Sequence, residues 1–367
     1  MGAYLTRGQP SALGLVRRAV ESERPPHALL LVGPSGVGKT TLALDLARGL
    51  LCLAADPADR PCGGCAACRK VDHGNHPDLH RLAPEGAGQQ IRVAAVQTLA
   101  ADLALLPLEG RFRVAIIENA QRLNIDAQNA LLKTLEEPPA KVVLILAADD
   151  SAGLLPTVVS RCARARLGPV GGEPIAELLA EHGLADAARA ASLARLSGGR
   201  PGVAMALAAQ PEASLVQARL AAALLDLLGA DRRRRLAAPV DLLSDAAELV
   251  RATAGRAQDI DLPRRPAGSA ATKVSPAERR AAAGQLLAVW RDVARDLAVA
   301  TRGGGRELRQ HELLDELAAA GSAVDPTDAA RFLDRLETVS RALDAYANPE
   351  LAVDALLLAW PTPRRAA

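Results

Sequence analysis

The sequence predicts an α/β domain with a parallel β-sheet over residues 1–170, followed by an all-α region. Three observations predict this division. Short aliphatic runs alternate with helical patterns in the first half, a glycine-rich loop joins the first run to a helix, and strand signals nearly stop after Pro169. The chain has 367 residues, enough for two or three domains, and 49% of them are hydrophobic, enough to build large cores.

Three aliphatic runs in the first half have the pattern of buried parallel strands. They lie at residues 28–32, 114–117 and 142–147. Consecutive aliphatic residues are expected in a strand when helices cover both faces of its sheet. A further strand is predicted to begin at His76-Pro77-Asp78. The helical patterns that separate these runs lie at residues 40–51, 91–105 and 125–135.

The second half of the chain has helical spacing almost throughout. Residues 174–208 form a small helical unit with a break at 197–202, and a sequence rich in Ala, Leu, Arg and Asp follows from Ala213. The Pro, Gly, Ser and Thr residues of 258–276 predict a loop or linker. We therefore expect three parts, at residues 1–170, 171–212 and 213–367.

Composition and charge argue against several classes of function. Aromatic residues make up 2% of the chain, too few for a stacking platform that binds single-stranded nucleic acid. The 44 basic and 42 acidic residues give a net charge of +2, which is no electrostatic signal for nucleic acid or a membrane surface. No apolar segment approaches the roughly 18 residues of a membrane span, and residues 1–9 lack an apolar signal-peptide core. We expect a cytoplasmic protein.

A phosphate-binding loop is predicted between the first strand and the first helix. Residues 33–40 match the pattern G-x-x-x-x-G-K-[ST], in which glycines let the backbone wrap a phosphate and the helix N-terminus adds partial positive charge. Lys39 would reach the terminal phosphates of ATP, and Thr40 would hold Mg²⁺. The predicted nucleotide-binding residues are Gly33, Pro34, Ser35, Gly36, Val37, Gly38, Lys39, Thr40, Thr41 and Glu118. Hydrolysis is a separate question.

A cluster of cysteines predicts a structural metal site. Cys62, Cys65 and Cys68 are each separated by two residues, and Cys52 precedes them. Four thiolates can close a tetrahedral Zn²⁺ site that has no open position. The alternative is free cysteines on a loop, and His73 and His76 are candidate substitute ligands.

The residues after the second aliphatic run decide between ATP binding and ATP hydrolysis. Glu118 follows this run and could organise Mg²⁺, whereas hydrolysis needs a second carboxylate to activate water. Asn119 lies where that carboxylate is expected, and an amide cannot accept the proton. This position speaks against hydrolysis, unless another carboxylate such as Glu136 or Asp149 serves.

Several further stretches resemble the bacterial DNA polymerase III clamp-loader subunits, which are AAA+ proteins. Residues 129–139, with the sequence NALLKTLEEPP, are similar to the signature helix and turn of that family. Ser160-Arg161-Cys162 resembles its arginine-finger motif, and the four cysteines resemble its zinc module. Residues 24–30 resemble the segment that leads into its P-loop, and residues 347–356 resemble its last collar helix. The resemblance is densest over residues 24–165.

The resemblance implies a fold and a set of partners. It implies a RecA-like AAA+ P-loop domain at 1–170 with a zinc module at 52–68, a small helical lid at 171–212, and a helical collar or oligomerisation domain at 213–367. The partners implied are gamma/tau and delta subunits in a five-subunit ring, which loads the sliding clamp onto primed DNA. The chain would then be an accessory subunit of a DNA-directed DNA polymerase holoenzyme.

The family contains two similar types, the gamma/tau motors that hydrolyse ATP and the delta-prime stator that offers an arginine finger to its neighbour. Three departures favour the stator: Asn119, the Ala148-Asp149 pair at the expected polar sensor, and Gly202 near the expected second sensor arginine. Arg161 would then act in trans on ATP bound to a gamma/tau subunit, and the chain's own ATPase activity would be absent or weak. The alternative role for Arg161 is an ordinary surface salt bridge. The alternative type of subunit is a gamma/tau-type motor.

Two interpretations from other classes also remain, a small-molecule P-loop kinase and a structural zinc protein with a vestigial nucleotide site. The kinase has no use for a four-cysteine insertion or a long helical tail. The arginine run 232–235 could be a DNA patch, but Asp226 and Asp231 precede it, which favours a solvated helix face.

Overall fold

The computed structural model describes residues 2–84, 90–254, 276–304, 308–310, 313–344 and 347–363. The chain forms two compact units, one of residues Met1–Leu178 with Gly199–Val203 and one of Leu179–Gly198 with Ala204–Ala367. The predicted linker at 258–276 lies outside the described residues except for Pro276, which begins a helix. The predicted boundaries at 170/171 and 212/213 stay predictions.

The first unit contains a five-stranded sheet in which every pair of neighbouring strands is parallel. Its strands are β1 (Ala28–Val32), β2 (Leu79–Leu82), β3 (Arg113–Ile117), β4 (Val142–Ala148) and β5 (Ala163–Arg166), in the order β2-β3-β4-β1-β5. The predicted fold class is confirmed, as are the three aliphatic strands and the strand after Asp78. The short edge strand β5 was not predicted, because two of its four residues are arginines.

Helices cover both faces of this sheet. Those of the first unit are α1 (Pro10–Glu21), α2 (Lys39–Leu51), α3 (Ala66–Asp72), α4 (Val93–Leu103), α5 (Ile125–Glu136) and α6 (Pro156–Val159). Leu29 and Leu31 pack into the core that contains α1 and α2, whereas Leu30 packs into the core that contains α4 and α5. Successive strand residues point to opposite faces, so both faces must be apolar, and this explains the continuous aliphatic runs.

The remaining helices follow β5 to the end of the chain. They are α7 (Gly172–Glu181), α8 (Ala187–Leu196), α9 (Pro201–Ala209), α10 (Pro211–Asp226), α11 (Arg232–Ala237), α12 (Pro239–Ala254), α13 (Pro276–Ala300), α14 (Leu314–Ala323), α15 (Pro326–Asp344) and α16 (Pro349–Ala359). Among the described helices, none is both long and apolar enough to cross a bilayer. The predicted helical second half is confirmed, with the break before α9 at 197–200.

Three aromatic side chains form the centre of the second unit. Trp290, Phe332 and Trp360 are buried, with ring centroids 4.5 to 5.5 Å apart. The indole N–H of Trp360 donates to the carbonyl oxygen of Leu224 at 2.9 Å. Half of the six aromatic residues are therefore in one cluster, which joins α10, α13, α15 and the end of α16.

The structure corrects the interpretation of the arginine run 232–235 as a solvated helix face at one position, Arg235. Arg232, Arg233 and Arg234 are exposed, as expected for a solvated helix face, but Arg235 is buried at 4% exposure. Its guanidinium donates to five backbone carbonyl oxygens, those of Leu227, Leu228, Leu357, Trp360 and Pro361. Arg235 thus closes the C-terminus of α16, where helix carbonyls have no partner within the helix.

Candidate functional site

The P-loop lies between β1 and α2, at the carboxyl edge of the parallel sheet. Gly38 precedes α2 with φ of 104°, a backbone conformation that glycine adopts without strain. Gly33 lies so close to β5 that a Cβ atom there would be 2.4 Å from the carbonyl oxygen of Leu167. The ten residues predicted to bind nucleotide, apart from Glu118, therefore lie in one loop and the first turn of α2.

Lys39 is buried under this loop and its ammonium group has three acceptors. It donates to the carbonyl oxygens of Gly33 at 2.6 Å and Pro34 at 3.0 Å, and to Oδ1 of Asp149 at 2.8 Å. The side chain of Lys39 is 8% exposed, whereas that of Asp149 is 41% exposed. An ammonium at a glycine loop and a helix N-terminus fits a phosphate group.

Glu118 and Asn119 follow β3 at the same sheet edge. Oε1 of Glu118 accepts two hydrogen bonds from Arg81, at 3.0 and 2.6 Å. Asn119 has φ of 49°, in the left-handed region that asparagine tolerates better than most residues. The structure therefore brings Glu118 to the edge that holds the P-loop, with Asn119 rather than a second carboxylate beside it.

Arg161 lies between α6 and β5, on a segment that is anchored on both sides. Val158 and Cys162 are buried, and burial raises the pKa of the Cys162 thiol to about 11. Gln128 of α5 accepts from the N–H of Leu155 at 2.6 Å, which ties α5 to the start of α6. The segment is held in place by these contacts, and Arg161 projects from it.

The guanidinium of Arg161 forms an ion pair with the last residue of α5. Its Nη2 is 2.7 Å from Oε1 of Glu136, and its Nη1 donates to the carbonyl oxygen of Thr157 at 2.9 Å. The two side chains are 36% and 49% exposed. An ion pair between groups this exposed is worth at most about 1 kcal/mol, so a phosphate could displace Glu136 from Arg161.

The four cysteines Cys52, Cys62, Cys65 and Cys68 come together in the first unit. All four Sγ atoms lie within 4.8 Å of one another, and those of Cys52 and Cys65 are 3.9 Å apart. A tetrahedral site with Zn–S bonds of about 2.3 Å places its sulfur atoms about 3.8 Å apart, so this donor set fits Zn²⁺. Backbone N–H groups of Ala54, Cys62 and Cys68 donate to these sulfurs.

Cys65 and Cys68 of the cluster have thiol pKa values that are shifted in opposite directions. Burial raises the pKa of the Cys68 thiol. Burial also acts on Cys65, but hydrogen bonds from the backbone N–H groups of Leu53 and Cys68 lower its pKa to about 6. Among the described residues, His73 and His76 do not belong to this group of ligand atoms. His76 is instead buried, where its Nδ1 accepts from the N–H of Asp78 at 3.1 Å.

Sequence reasoning missed two partners of the site residues. The pair between Arg81 and Glu118 joins neighbouring strands, and the hydrogen bonds of Gln128 join α5 to the segment that holds Arg161. Arg81 lies in an exposed position of β2, and Gln128 lies on a buried turn of α5. In the sequence, the one sign of these contacts is a glutamine, Gln128, on the apolar side of the amphipathic helix α5.

Comparison with known proteins identifies relatives of the first half of the chain. Residues 8–171, a little under half of the chain, match the model of the family described as DNA polymerase III, delta subunit. DNA polymerase III subunit delta' of Bacillus subtilis is 34% identical over 174 residues, 47% of this chain and 52% of that protein. Subunit tau of Salmonella typhimurium is 38% identical over 175 residues, 48% of this chain and 26% of that protein.

These matches confirm the resemblance to DNA polymerase III clamp-loader subunits for the first half of the chain. The chain spans about half the length of the delta' relatives that it matches. A gamma subunit-related protein from Thermotoga maritima, a solved structure, has a TM-score of 0.47 at 15% identity, with 95% of this chain and 98% of that chain covered. Identity to the delta' and tau types is similar, so it does not separate them.

Proposed function

We propose that this chain is the delta-prime, or stator, subunit of a DNA polymerase III clamp loader. In this proposal it helps load the sliding clamp onto primed DNA during replication in the cytoplasm, and it supplies Arg161 to the ATP bound by a neighbouring gamma/tau subunit. The stator is chosen over the motor because of the residues at the end of β3. There Glu118 is paired with Arg81 and is followed by an amide, Asn119. The similarity of residues 8–171 to clamp-loader subunits supports the choice of complex.

Arg161 would act as an arginine finger because of its charge and its placement. A guanidinium is always charged and presents a planar fork of N–H donors that matches phosphate oxygens. The segment that carries it is anchored by Val158 and Cys162, while Glu136, the anionic partner of Arg161 in this structure, is an exposed group. Stabilising charge on a transferred phosphoryl group is the established use of such an arginine.

The nucleotide-binding residues support ATP and Mg²⁺ as ligands of this chain. Lys39 and the backbone of the P-loop would hold the phosphates, and Thr40 with Glu118 would hold Mg²⁺ directly or through water. Bound Mg²⁺ would neutralise phosphate charge. With Asn119 beside Glu118, binding without rapid hydrolysis is the activity that we propose for this site.

The alternative is a gamma/tau-type motor subunit. One observation favours it: the P-loop motif is complete, and its lysine is the first residue of α2. A motor would need another carboxylate to activate water. Glu136 is paired with Arg161 and Asp149 is paired with Lys39, so each would have to leave its ion pair to activate a water molecule.

Assembly of a ring tests the proposed function. The chain would be co-expressed with the delta and gamma/tau subunits of the same organism, and the mass of the purified assembly would be measured. We expect a five-subunit complex that contains one copy of this chain, and slow ATP turnover by the isolated chain. Brisk ATP turnover by the isolated chain would favour the motor, and failure to join any assembly would contradict both types.

We also propose that the four cysteines hold one structural Zn²⁺. The purified chain is expected to contain about one Zn²⁺ per molecule by elemental analysis, and Cys68→Ser is expected to lose most of it, because a hydroxyl is a poor ligand beside three thiolates. Cys162→Ser is the matched control, since Cys162 is also buried but lies outside the cluster. Equal zinc contents in both variants would refute the site.

A further inference from the structure

The contact between Asp149 and Lys39 places a carboxylate where a nucleotide phosphate would bind. The ammonium group of Lys39 has three protons, and the structure gives it three acceptors: Gly33 and Pro34 carbonyl oxygens and Oδ1 of Asp149. The two carbonyls belong to the P-loop itself. A phosphate oxygen that binds Lys39 while the loop keeps this conformation must therefore displace Asp149.

The position of Asp149 is fixed by the sheet rather than by chance contact. It is the first residue after β4, and β4 pairs with β1, the strand that leads into the P-loop. The N–H of Gly33 donates to the carbonyl oxygen of Ala148 at 3.2 Å, and the N–H of Asp149 donates to Oε1 of Gln121 at 3.2 Å. These bonds hold Asp149 beside the loop whichever way its side chain turns.

The burial of Lys39 and the charge of Asp149 let this carboxylate compete with a phosphate group for Lys39. Lys39 is 8% exposed, and a buried ammonium is costly unless an anion or several acceptors compensate it. Asp149 is 41% exposed, so its carboxylate can turn to water when an anion replaces it. When it does turn, it still lies near the bound phosphates and repels them.

We propose that Asp149 is an internal occupant of the phosphate position on Lys39 and thereby sets a low affinity of this chain for nucleotide. This inference rests on the proposed nucleotide site, although it does not depend on ring assembly or on Arg161. Removal of the negative charge leaves the phosphate without a competitor. The same removal leaves the buried Lys39 less well compensated in the nucleotide-free chain.

The test is equilibrium binding of fluorescently labelled ATP to the isolated chain, with Mg²⁺ and with EDTA. Asp149→Asn preserves the size of the side chain and is expected to bind ATP about tenfold more tightly under both conditions, the size expected when one charge-assisted hydrogen bond no longer has to be exchanged. Asp150→Asn is the matched control, because the Asp150 carboxylate accepts from the N–H of Ala152 instead. Lys39→Ala should abolish binding in either background.

Thermal unfolding gives a second measurement that does not depend on the fluorescent label. The Asp149→Asn variant should unfold at a lower temperature than the wild-type chain without nucleotide, and saturating ATP should raise its Tm by more than it raises that of the wild type. Unlabelled tripolyphosphate should compete with ATP more effectively in this variant, since the gain arises at the phosphates.

Three results would overturn the proposal. Equal or weaker ATP binding by Asp149→Asn with Mg²⁺ and with EDTA would show that Asp149 does not compete with the phosphate. Weaker binding with Mg²⁺ but not with EDTA would show that Asp149 helps to bind the metal ion. Absence of binding by the wild type and by Asp149→Asn would also refute it, while the stator function would still be judged by assembly. Binding by Asp149→Asn alone would support it.

Discussion

Replacement of Arg161 by alanine is expected to lower ATP hydrolysis by a reconstituted clamp-loader ring by about 10³-fold at the interface that this residue serves, because fingers supplied in trans contribute about 10³- to 10⁵-fold in other phosphoryl-transfer systems. The mass of the ring should not change. The segment around Arg161 is held by Val158, Cys162 and Gln128, none of which depends on its guanidinium. Single-turnover hydrolysis in the presence of primed DNA and clamp is the measurement, since turnover at other interfaces would mask the loss.

Two control variants separate a finger from a surface ion pair. Glu136→Gln removes the partner of Arg161 and should leave hydrolysis unchanged or slightly faster, because the exposed pair contributes little and its loss frees the guanidinium. Arg164→Ala removes an exposed arginine three residues further along and should have little effect. Hydrolysis by the Arg161→Ala ring at the wild-type rate would show that Arg161 is a surface residue without this role.

Replacement of Arg235 by alanine is expected to destabilise the second unit by about 3 to 5 kcal/mol, because each buried carbonyl oxygen that is left without a donor costs about 1 to 3 kcal/mol. Five carbonyl oxygens would lose a charged donor at once, those of Leu227, Leu228, Leu357, Trp360 and Pro361. Burial lowers the pKa of Arg235, but arginine remains charged at neutral pH. The Tm of the unit should fall by about 10 °C.

Tryptophan fluorescence measures this effect without interference from the nucleotide-binding unit. The sequence has two tryptophans, and both, Trp290 and Trp360, lie in the second unit. Arg235→Met tests whether the guanidinium or only its aliphatic stem is needed, and it should be nearly as destabilising as alanine. Arg233→Ala is the matched control, because Arg233 is exposed on the same helix and should change the free energy of unfolding by less than about 0.5 kcal/mol. Equal unfolding curves for the Arg235 and Arg233 variants would contradict the structural role.

The residues of the P-loop and of the cysteine cluster could be predicted from sequence, but the contacts of their side chains could not. The P-loop and the cysteine cluster are short motifs, so the residues that form them are close together in the chain and their type reveals their chemistry. What each group contacts without a ligand was not predictable. Lys39 and Asp149 are 110 residues apart, and their contact requires the pairing of β1 with β4.

Some helices and strands could be predicted from the sequence, and others could not. Buried runs of aliphatic residues identified β1, β3 and β4, because a strand covered on both faces must be apolar throughout. The helix α1 was missed, although Pro10 begins it and its buried residues Ala12, Val16, Ala19 and Val20 recur at helical spacing. The edge strand β5 gave no signal, since Ala165 alone of its four residues is buried and Arg164 and Arg166 are exposed.

The sequence by itself determined the P-loop motif, the group of four cysteines, the amide at 119 and the change from an α/β to a helical composition. These depend on residue type and on spacing over a few turns or strands. The tertiary structure alone decided that Asp149 pairs with Lys39 and that Glu136 pairs with Arg161. It also decided that Arg235 is buried, whereas the other three arginines of the run 232–235 are exposed. The physical reason is that the partner and burial of a charged side chain depend on strand pairing and helix packing between distant segments, whereas the local pattern fixes only which face it can occupy.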